Sequence, residues 1–337
     1  MKRLRITAII LCLSIALGAA GPYALAEDVP APKLRSAQCA LIGDMGSGRI
    51  LYNVDAYSRR SPASLTKIMT LLLAVEAIEQ GTASLDDMVT ASGECKTGLG
   101  NDSSTAYIDR GETMSLKDLL YCAALASANE ACNIIAEHVA GSISAFVERM
   151  NARAAELGCS GTHFANTHGM PQDGHYTTAH DLFLIACEGM RHELFSQLVG
   201  TREYTTSATN DSGPRNLKSS NALITRDSPY SDKYFYTGAV GIKTGYTEKA
   251  GYCLVSAVQR ENVTVIAVVL GADAAGHNAV VFKNGIIKRD FQTGNAVLCV
   301  KFQGLRFVFI VDIGLRLPGD CWLSLIYFVA GIANIRH

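Results

Sequence analysis

Ser64 and Lys67 stand three residues apart in Pro62-Ala63-Ser64-Leu65-Thr66-Lys67-Ile68-Met69-Thr70. That spacing sets a hydroxyl and an amine on one face of a helical turn. The chemistry open to such a pair is nucleophilic: a lysine in an apolar setting loses its proton near neutral pH and can take one from the serine. A helix N-terminus beside them would favour the oxyanion that attack creates. The tetrapeptide alone is a weak sign, because a Ser-x-x-Lys match is expected roughly once by chance in a chain of this length. Two further groups add to it. Ser127-Ala128-Asn129 places a hydroxyl and an amide in a break between apolar segments. Lys243-Thr244-Gly245 lies in a segment of strand character, where Lys243 and Gly245 share a face and the glycine admits close approach of another backbone. An edge strand of this kind suits docking of a peptide. Ser219-Ser220-Asn221 is a rival copy of the second pattern, and Lys96-Thr97-Gly98 repeats the third in loop-like surroundings, where no role is assigned to it.

The elements that must hold these residues can be read from periodicity. Ile68 to Val75 is apolar almost all round, so a helix over 64–80 is expected to be buried on every side, starting after Pro62 and ending before Gly81. Further helices are expected over 115–126 with Ser115 as N-cap, over 130–140, and over 143–157 closed by Gly158. Gln38 to Ile42 and Ile50 to Tyr52 flank Gly46-Ser47-Gly48 and read as a hairpin. Strand character returns at 240–244, and 251–258 pairs with 263–270 across the polar turn Gln259-Arg260-Glu261-Asn262. Residues 159–235 read as mixed and turn-rich, with a helix beginning near 180 where Asp181 caps or pairs. Strands at both ends enclosing helices imply an antiparallel sheet closed by the first and last segments of the chain.

Composition narrows the function. Thirty basic residues against 31 acidic give no attraction to polyanions, so nucleic acid is not an expected partner. Lys2, Arg3 and Arg5 precede an apolar run from Ile6 to Ala20, and Ala24-Leu25-Ala26 supplies a small-x-small cleavage site, so 1–26 reads as a signal peptide and the protein as exported. Nine cysteines follow that site, an odd number that excludes a complete disulfide framework, and mostly free thiols are expected. No cysteine or histidine spacing of zinc-site type occurs, and neither a metal nor a cofactor is expected. His168, His175 and His180 read as hydrogen-bonding residues rather than ligands. Residues 279–337 form a divergent C-terminal segment whose apolar Cys321 to Ala333 is too short to span a bilayer. A truncated or frame-shifted domain, a buried element and an anchor at a membrane surface all stay open there.

In their order, Ser64-x-x-Lys67, Ser127-x-Asn129 and Lys243-Thr244-Gly245 resemble the three motifs of the penicillin-recognising serine peptidases. The likeness is closest to the low-molecular-mass penicillin-binding proteins that act as serine D-Ala-D-Ala carboxypeptidases. Thr162 to Met170, His175 to Leu182 and Gly241 to Thr247 also look like that family, and the resemblance runs from about Ser36 to Gly271. It implies a catalytic domain over 27–278 with an α+β, β-lactamase/transpeptidase-like fold: an antiparallel sheet flanked by helices, beside a helical subdomain. It also implies attack by Ser64 on the terminal D-Ala-D-Ala bond of a peptidoglycan stem pentapeptide, with Lys67 as base. Ser127 and Lys243 would pass a proton to the leaving amine, Asn129 would hold the substrate amide, and Thr244 would bind its carboxylate. Gly245 would line the strand, and the N–H groups of Ser64 and Tyr246 would form the oxyanion hole. β-Lactams would acylate Ser64 by the same attack. The implied setting is the cell envelope, in the periplasm or on the outer face of the cytoplasmic membrane. Gly271 to Asn278 departs from the family, holding no Lys or Arg where a basic residue is usual; Lys243, Thr244 and His277 remain to meet a carboxylate. A β-lactamase and a catalytically idle wall-binding or β-lactam-sensing module are the alternative readings.

Overall fold

A computed structural model describes residues 37–225 and 235–273 and the strands at 296–302 and 305–311. All of them belong to one unit, Leu34–His337. The chain enters as β1 (Cys39–Asp44) and β2 (Ile50–Val54), an antiparallel pair around Gly46-Ser47-Gly48. Every residue of β1 is buried, as befits a strand covered on both faces. A 3₁₀ turn (Ala63–Thr66) then runs directly into α1 (Lys67–Glu79). β3 (Met88–Thr90) pairs with β4 (Thr113–Ser115), and α2 (Leu116–Ala124) follows, capped by the Ser115 hydroxyl accepting from the Asp118 N–H at 3.1 Å. Next come α3 (Asn129–Ala140), α4 (Ile143–Glu156), α5 (Ala179–Gly189) and α6 (Glu193–Gly200). β5 (Glu203–Thr205) pairs with β6 (Asn216–Lys218) before the long strands β7 (Ala239–Thr247), β8 (Gly251–Arg260) and β9 (Val263–Ala272). β10 (Ala296–Phe302) and β11 (Leu305–Val311) form a separate antiparallel pair.

The main sheet runs β2-β1-β9-β8-β7, antiparallel throughout, so the first strand of the chain lies between the second and the ninth, while β10 and β11, the last described strands, stand outside it. Apolar side chains fill both of its faces. On one, Phe183 of α5 lies across β1 so closely that a Cβ at Gly43 would fall 2.4 Å from the ring. A smaller cluster, with Ile42, Leu223, Tyr236, Leu254 and Val265 at its centre, packs separately. α1 touches each of the other five helices as well as β7, which explains its all-round apolar sequence. It is the axis around which the helical layer is built. Among the described residues no helix is long and apolar enough to cross a membrane.

Three local expectations are corrected. The hairpin between β8 and β9 turns on only Glu261 and Asn262, because Arg260 still pairs with Val263 and Glu261 takes a left-handed φ of 51°. Residues 159–235, read as turn-rich, contain α6 as well as α5. The cap of α5 is Thr178, whose hydroxyl accepts from the Asp181 N–H at 3.0 Å, while the Asp181 carboxylate accepts from Gly161 N at 2.8 Å and Thr162 Oγ1 at 2.7 Å. Asp181 therefore ties the 160s loop to the helix instead of capping it. The seven cysteines whose side chains are described are free and buried, in line with the expected thiols. His277 and the apolar run Cys321 to Ala333 lie outside the described residues.

One buried ion pair anchors the loop that leads from the helical layer to the site. Arg215 meets the fully buried Glu112 carboxylate through both terminal nitrogens, at 2.7 and 2.8 Å, and donates to the carbonyls of Ala106 at 2.7 Å and Tyr107 at 3.0 Å. Removing one partner strands a charge in the interior, which costs about 3–5 kcal/mol. Arg215→Met should lower unfolding free energy by about that amount in urea titrations, whereas a loss under about 1 kcal/mol would mean that water reaches Glu112.

Candidate active site

Ser64 belongs to the 3₁₀ turn, not to the first turn of the α-helix where the sequence reading put it. Ala63, which opens that turn, takes a left-handed φ of 48°, outside the range of either helix type. In a 3₁₀ turn residues three apart eclipse each other. Ser64 and Lys67 thus come together more directly than on an α-helix, with Lys67 Nζ 3.0 Å from Ser64 Oγ.

The same nitrogen donates to Asn129 Oδ1 at 2.6 Å and to the carbonyl of His168 at 2.7 Å, so a protonated Lys67 spends all three N–H bonds. Burial lowers its pKa to about 8, against the opposing pull of Cys132 and the Glu130 carboxylate. Of its three partners, the two carbonyl oxygens can only accept. When Lys67 gives up a proton its lone pair must turn to Ser64, the one partner with a hydrogen to donate. The arrangement therefore converts a neutral Lys67 into a base aimed at Ser64 Oγ.

The Ser127 loop is held in place by backbone contacts. Ala128 N donates to Cys122 O at 3.1 Å and Asn129 N to Ser104 O at 2.9 Å. Ser127 itself takes a left-handed φ of 57°, and its buried hydroxyl has no hydrogen-bond partner among the described residues. Asn129 opens α3, next to the buried Glu130, whose Oε1 gathers Thr105 Oγ1 and Ala106 N, each at 2.7 Å. Glu130 was not picked out from sequence. Its signal was a carboxylate in the first turn of a helix, placed beside a polar break.

The opposite wall is the edge strand β7, whose partner in the sheet is β8. Lys243 is buried and donates to the Thr244 carbonyl at 3.1 Å; burial, and then the charge of Lys67, lowers its pKa to about 7. Gly245 faces Ser64 so closely that a Cβ there would sit 3.0 Å from Ser64 N. Tyr246 is half exposed, its ring 4.4 Å from that of Tyr252. Thr244 Oγ1 lies 2.7 Å from Ser220 Oγ, while Ser220 N reaches Leu125 O at 3.3 Å. Ser220, the middle residue of the rival Ser-x-Asn copy, thus bridges the end of α2 and the strand. In the other repeat Lys96 pairs with Asp109 on the surface, while the Thr97 carbonyl accepts from Asn133 Nδ2 at 3.0 Å and Gly98 lies against the His168 ring. Hydrogen bonds join Ser64, Lys67 and Asn129, and close contact adds Gly245. Ser127, Thr244 and Tyr246 bond to none of these three side chains.

Comparison with known proteins fits this arrangement. The chain matches the peptidase S11 model, described as D-alanyl-D-alanine carboxypeptidase, over residues 26–274. It belongs to that family. The D-alanyl-D-alanine carboxypeptidase DacF of Bacillus subtilis is 37% identical over 236 residues, 70% of this chain and 57% of that protein. The chain thus spans little more than half the length of that S11 relative. Among solved structures, a mutant of the Streptomyces K15 DD-transpeptidase matches with a TM-score of 0.64 at 30% identity, over 72% of this chain and 93% of that one. Penicillin-binding protein D2 of Listeria monocytogenes, in an ampicillin-bound form, gives 0.60 at 29% identity over 72% and 93%. The fold is the α+β, transpeptidase-like one that the motifs implied.

Within this S11 chain the two depressed lysines are directly measurable. Two lysine side-chain resonances should titrate in NMR near 8 and near 7, and should be lost in Lys67→Met and Lys243→Met respectively. Values above 10 for both would mean that water reaches the cleft floor.

Proposed function

We propose that this protein is an exported serine D-Ala-D-Ala carboxypeptidase that acts on peptidoglycan stem peptides through an acyl-enzyme. The observation that carries the reading is the hydrogen-bond set of Lys67, two obligate acceptors and one hydroxyl. Neutral Lys67 takes the Ser64 proton as Oγ attacks the carbonyl carbon of the penultimate D-Ala. The oxyanion of the tetrahedral intermediate is met by the N–H groups of Ser64 and Tyr246. The C–N bond then breaks, the leaving amine takes a proton from Ser127 Oγ, and Lys243 resupplies Ser127. Water hydrolyses the ester, freeing Ser64. Asn129 orients the substrate amide, while Thr244 receives its terminal carboxylate. The unpartnered hydroxyl of Ser127 supports its part, since a buried hydroxyl left unpaired costs about 1–3 kcal/mol unless a ligand completes it.

Residues 1–26 supply the address as a signal peptide, which puts the catalytic domain, 27–278, in the cell envelope beside its polymer. The relative seen with ampicillin supports acylation of Ser64 by β-lactams. No metal or cofactor enters this scheme. The group of Glu76, Glu188 and His192, the set of possible metal-holding side chains among the described residues, has the Arg153 guanidinium bound to both carboxylates, at 2.8 and 2.6 Å.

Incubation with a fluorescent penicillin should add one adduct at Ser64, and a Lys-D-Ala-D-Ala peptide should release D-Ala; folded protein showing neither would end this reading. Lys67→Ala should slow acylation by about 10²–10⁴-fold. Acylation requires Lys67 neutral and Lys243 protonated, although Lys67 has the higher pKa, about 8 against about 7. The working state is thus a minority, and the rate should follow a bell that rises through about 7 and falls through about 8. Lys243→Arg, charged at every accessible pH, should lose the falling limb and leave a single rise, moved to the pKa of Lys67 at about 8. A falling limb unchanged in that variant would exclude Lys243 as the acid.

A further inference from the structure

The peptide between Ala63 and Ser64 is gripped from behind by residues to which the scheme above gives no part. Thr66 Oγ1 donates to the Ala63 carbonyl at 2.9 Å, and His175 Nε2 lies 2.8 Å from that same hydroxyl. On its other side His175 Nδ1 accepts from Ala165 N at 2.9 Å. An acceptor at Nδ1 leaves the imidazole proton on Nε2, so the bonds run in one direction, from Ala165 N–H through His175 and Thr66 to the Ala63 oxygen. Both side chains are buried. Burial, reinforced by the charges of His163 and Lys249, lowers the pKa of His175 to about 4, so the imidazole is neutral across the working range.

What this grip achieves follows from peptide geometry. The carbonyl of Ala63 and the N–H of Ser64 belong to one rigid planar trans unit and point in opposite directions. Fixing the carbonyl fixes the N–H. The carbonyl end is closed in further by Gly169, whose φ is 100° and where a Cβ would fall 1.8 Å from the Ala63 oxygen. The N–H end faces Gly245 across the cleft. Left to itself this peptide would not stay put, because Ala63 has a left-handed φ that disfavours an alanine by about 1–2 kcal/mol. We propose that Thr66 and His175 are positioning residues that aim the Ser64 N–H, holding half of the oxyanion hole in place through the Ala63–Ser64 peptide. Neither touches substrate. The inference rests on the proposed acylation of Ser64.

A peptide turned out of line weakens stabilisation of the oxyanion more than binding of the intact ligand. Stopped-flow acylation by penicillin, with rates expressed per titrated site so that unfolded material does not count, separates the two. Thr66→Val, which keeps shape and removes the hydroxyl, should lower the limiting acylation rate constant at least tenfold and leave the encounter dissociation constant within about twofold. Thr66→Ser should return the rate to within about threefold of the native protein. His175→Phe, which keeps the ring and removes the proton, should lower the rate in the same direction. Thr66→Val or His175→Phe acylating at the native rate would overturn the inference, as would Thr66→Ser failing to rescue, since Thr66 would then be a packing residue. If the native protein takes no penicillin label, the acylation reading itself fails, an outcome separate from these.

Discussion

Two ammonium groups buried in one cleft are the constraint on which the rest of this structure depends. Moving a lysine amine out of water is unfavourable by several kcal/mol unless its protons are met or it becomes neutral. Both solutions are present. Lys67 has three acceptors drawn from three separate segments: the 3₁₀ turn, the start of α3 and the loop at His168. Lys243 has one described acceptor, the Thr244 carbonyl, and correspondingly the lower pKa of the two. The 3₁₀ turn, the start of α3 and the loop of the 160s must all be in register for Lys67 to be satisfied. Assembly of the fold and assembly of the site are therefore a single event.

The supporting architecture divides this task between stiff elements. α1 is packed on all sides by the other helices, so its N-terminal end is fixed independently of any ligand. β7 is held by a continuous ladder to β8 over its site-bearing half, Ile242 to Thr247. Between these walls the two lysines are buried, while Ser64, Thr244 and Tyr246 stay partly open to solvent. Glu130 does for the Ser104–Ile108 loop what Arg215 does for the stretch up to Glu112, each gathering backbone groups with a buried charge. Glu130 has a second effect, because its carboxylate raises the pKa of Lys67 against burial. A residue that shapes a loop also sets how tightly Lys67 holds its proton.

Much of this was legible in the sequence where periodicity is long. The all-round apolar run after Lys67 announced a central helix, and the apolar, β-branched runs from Val240 on, split by a polar turn, announced the three strands that close the sheet. Elements of three residues, such as β3 to β6, carry too few positions for any period to register. α6 was legible in principle, since Phe195, Leu198 and Val199 lie on one buried face, but the turn residues around it masked the signal. The motif residues themselves were identifiable by type and order. Their local geometry was not, because Ala63 and Ser127 adopt left-handed backbone that their own chemistry disfavours, and tertiary contacts impose it. Both strained residues border the site, one directly before Ser64 and one bearing the Ser127 hydroxyl. Glu130 and the partners of Ser220 and His175 were hidden for a different reason: a polar residue that serves its neighbours has no spacing rule.

On the proposed reading, the substrate itself completes the electrostatics. Without a ligand the cleft's two lysines repel, and at neutral pH the proton resides mainly on Lys67, the wrong one for attack. The strand side offers a carboxylate the Thr244 hydroxyl, bonded to Ser220, and the Lys243 amine behind it. An anion bound there favours the charged form of Lys243 and raises its pKa, while added positive charge at Lys243 lowers that of Lys67. Binding of a C-terminal carboxylate therefore shifts the shared proton from the base to the acid. A neutral end group of the same shape would fill the same space and leave the proton on Lys67. In this cleft, preference for a free carboxyl terminus and readiness of the nucleophile become one property, set by how strongly two buried amines interact.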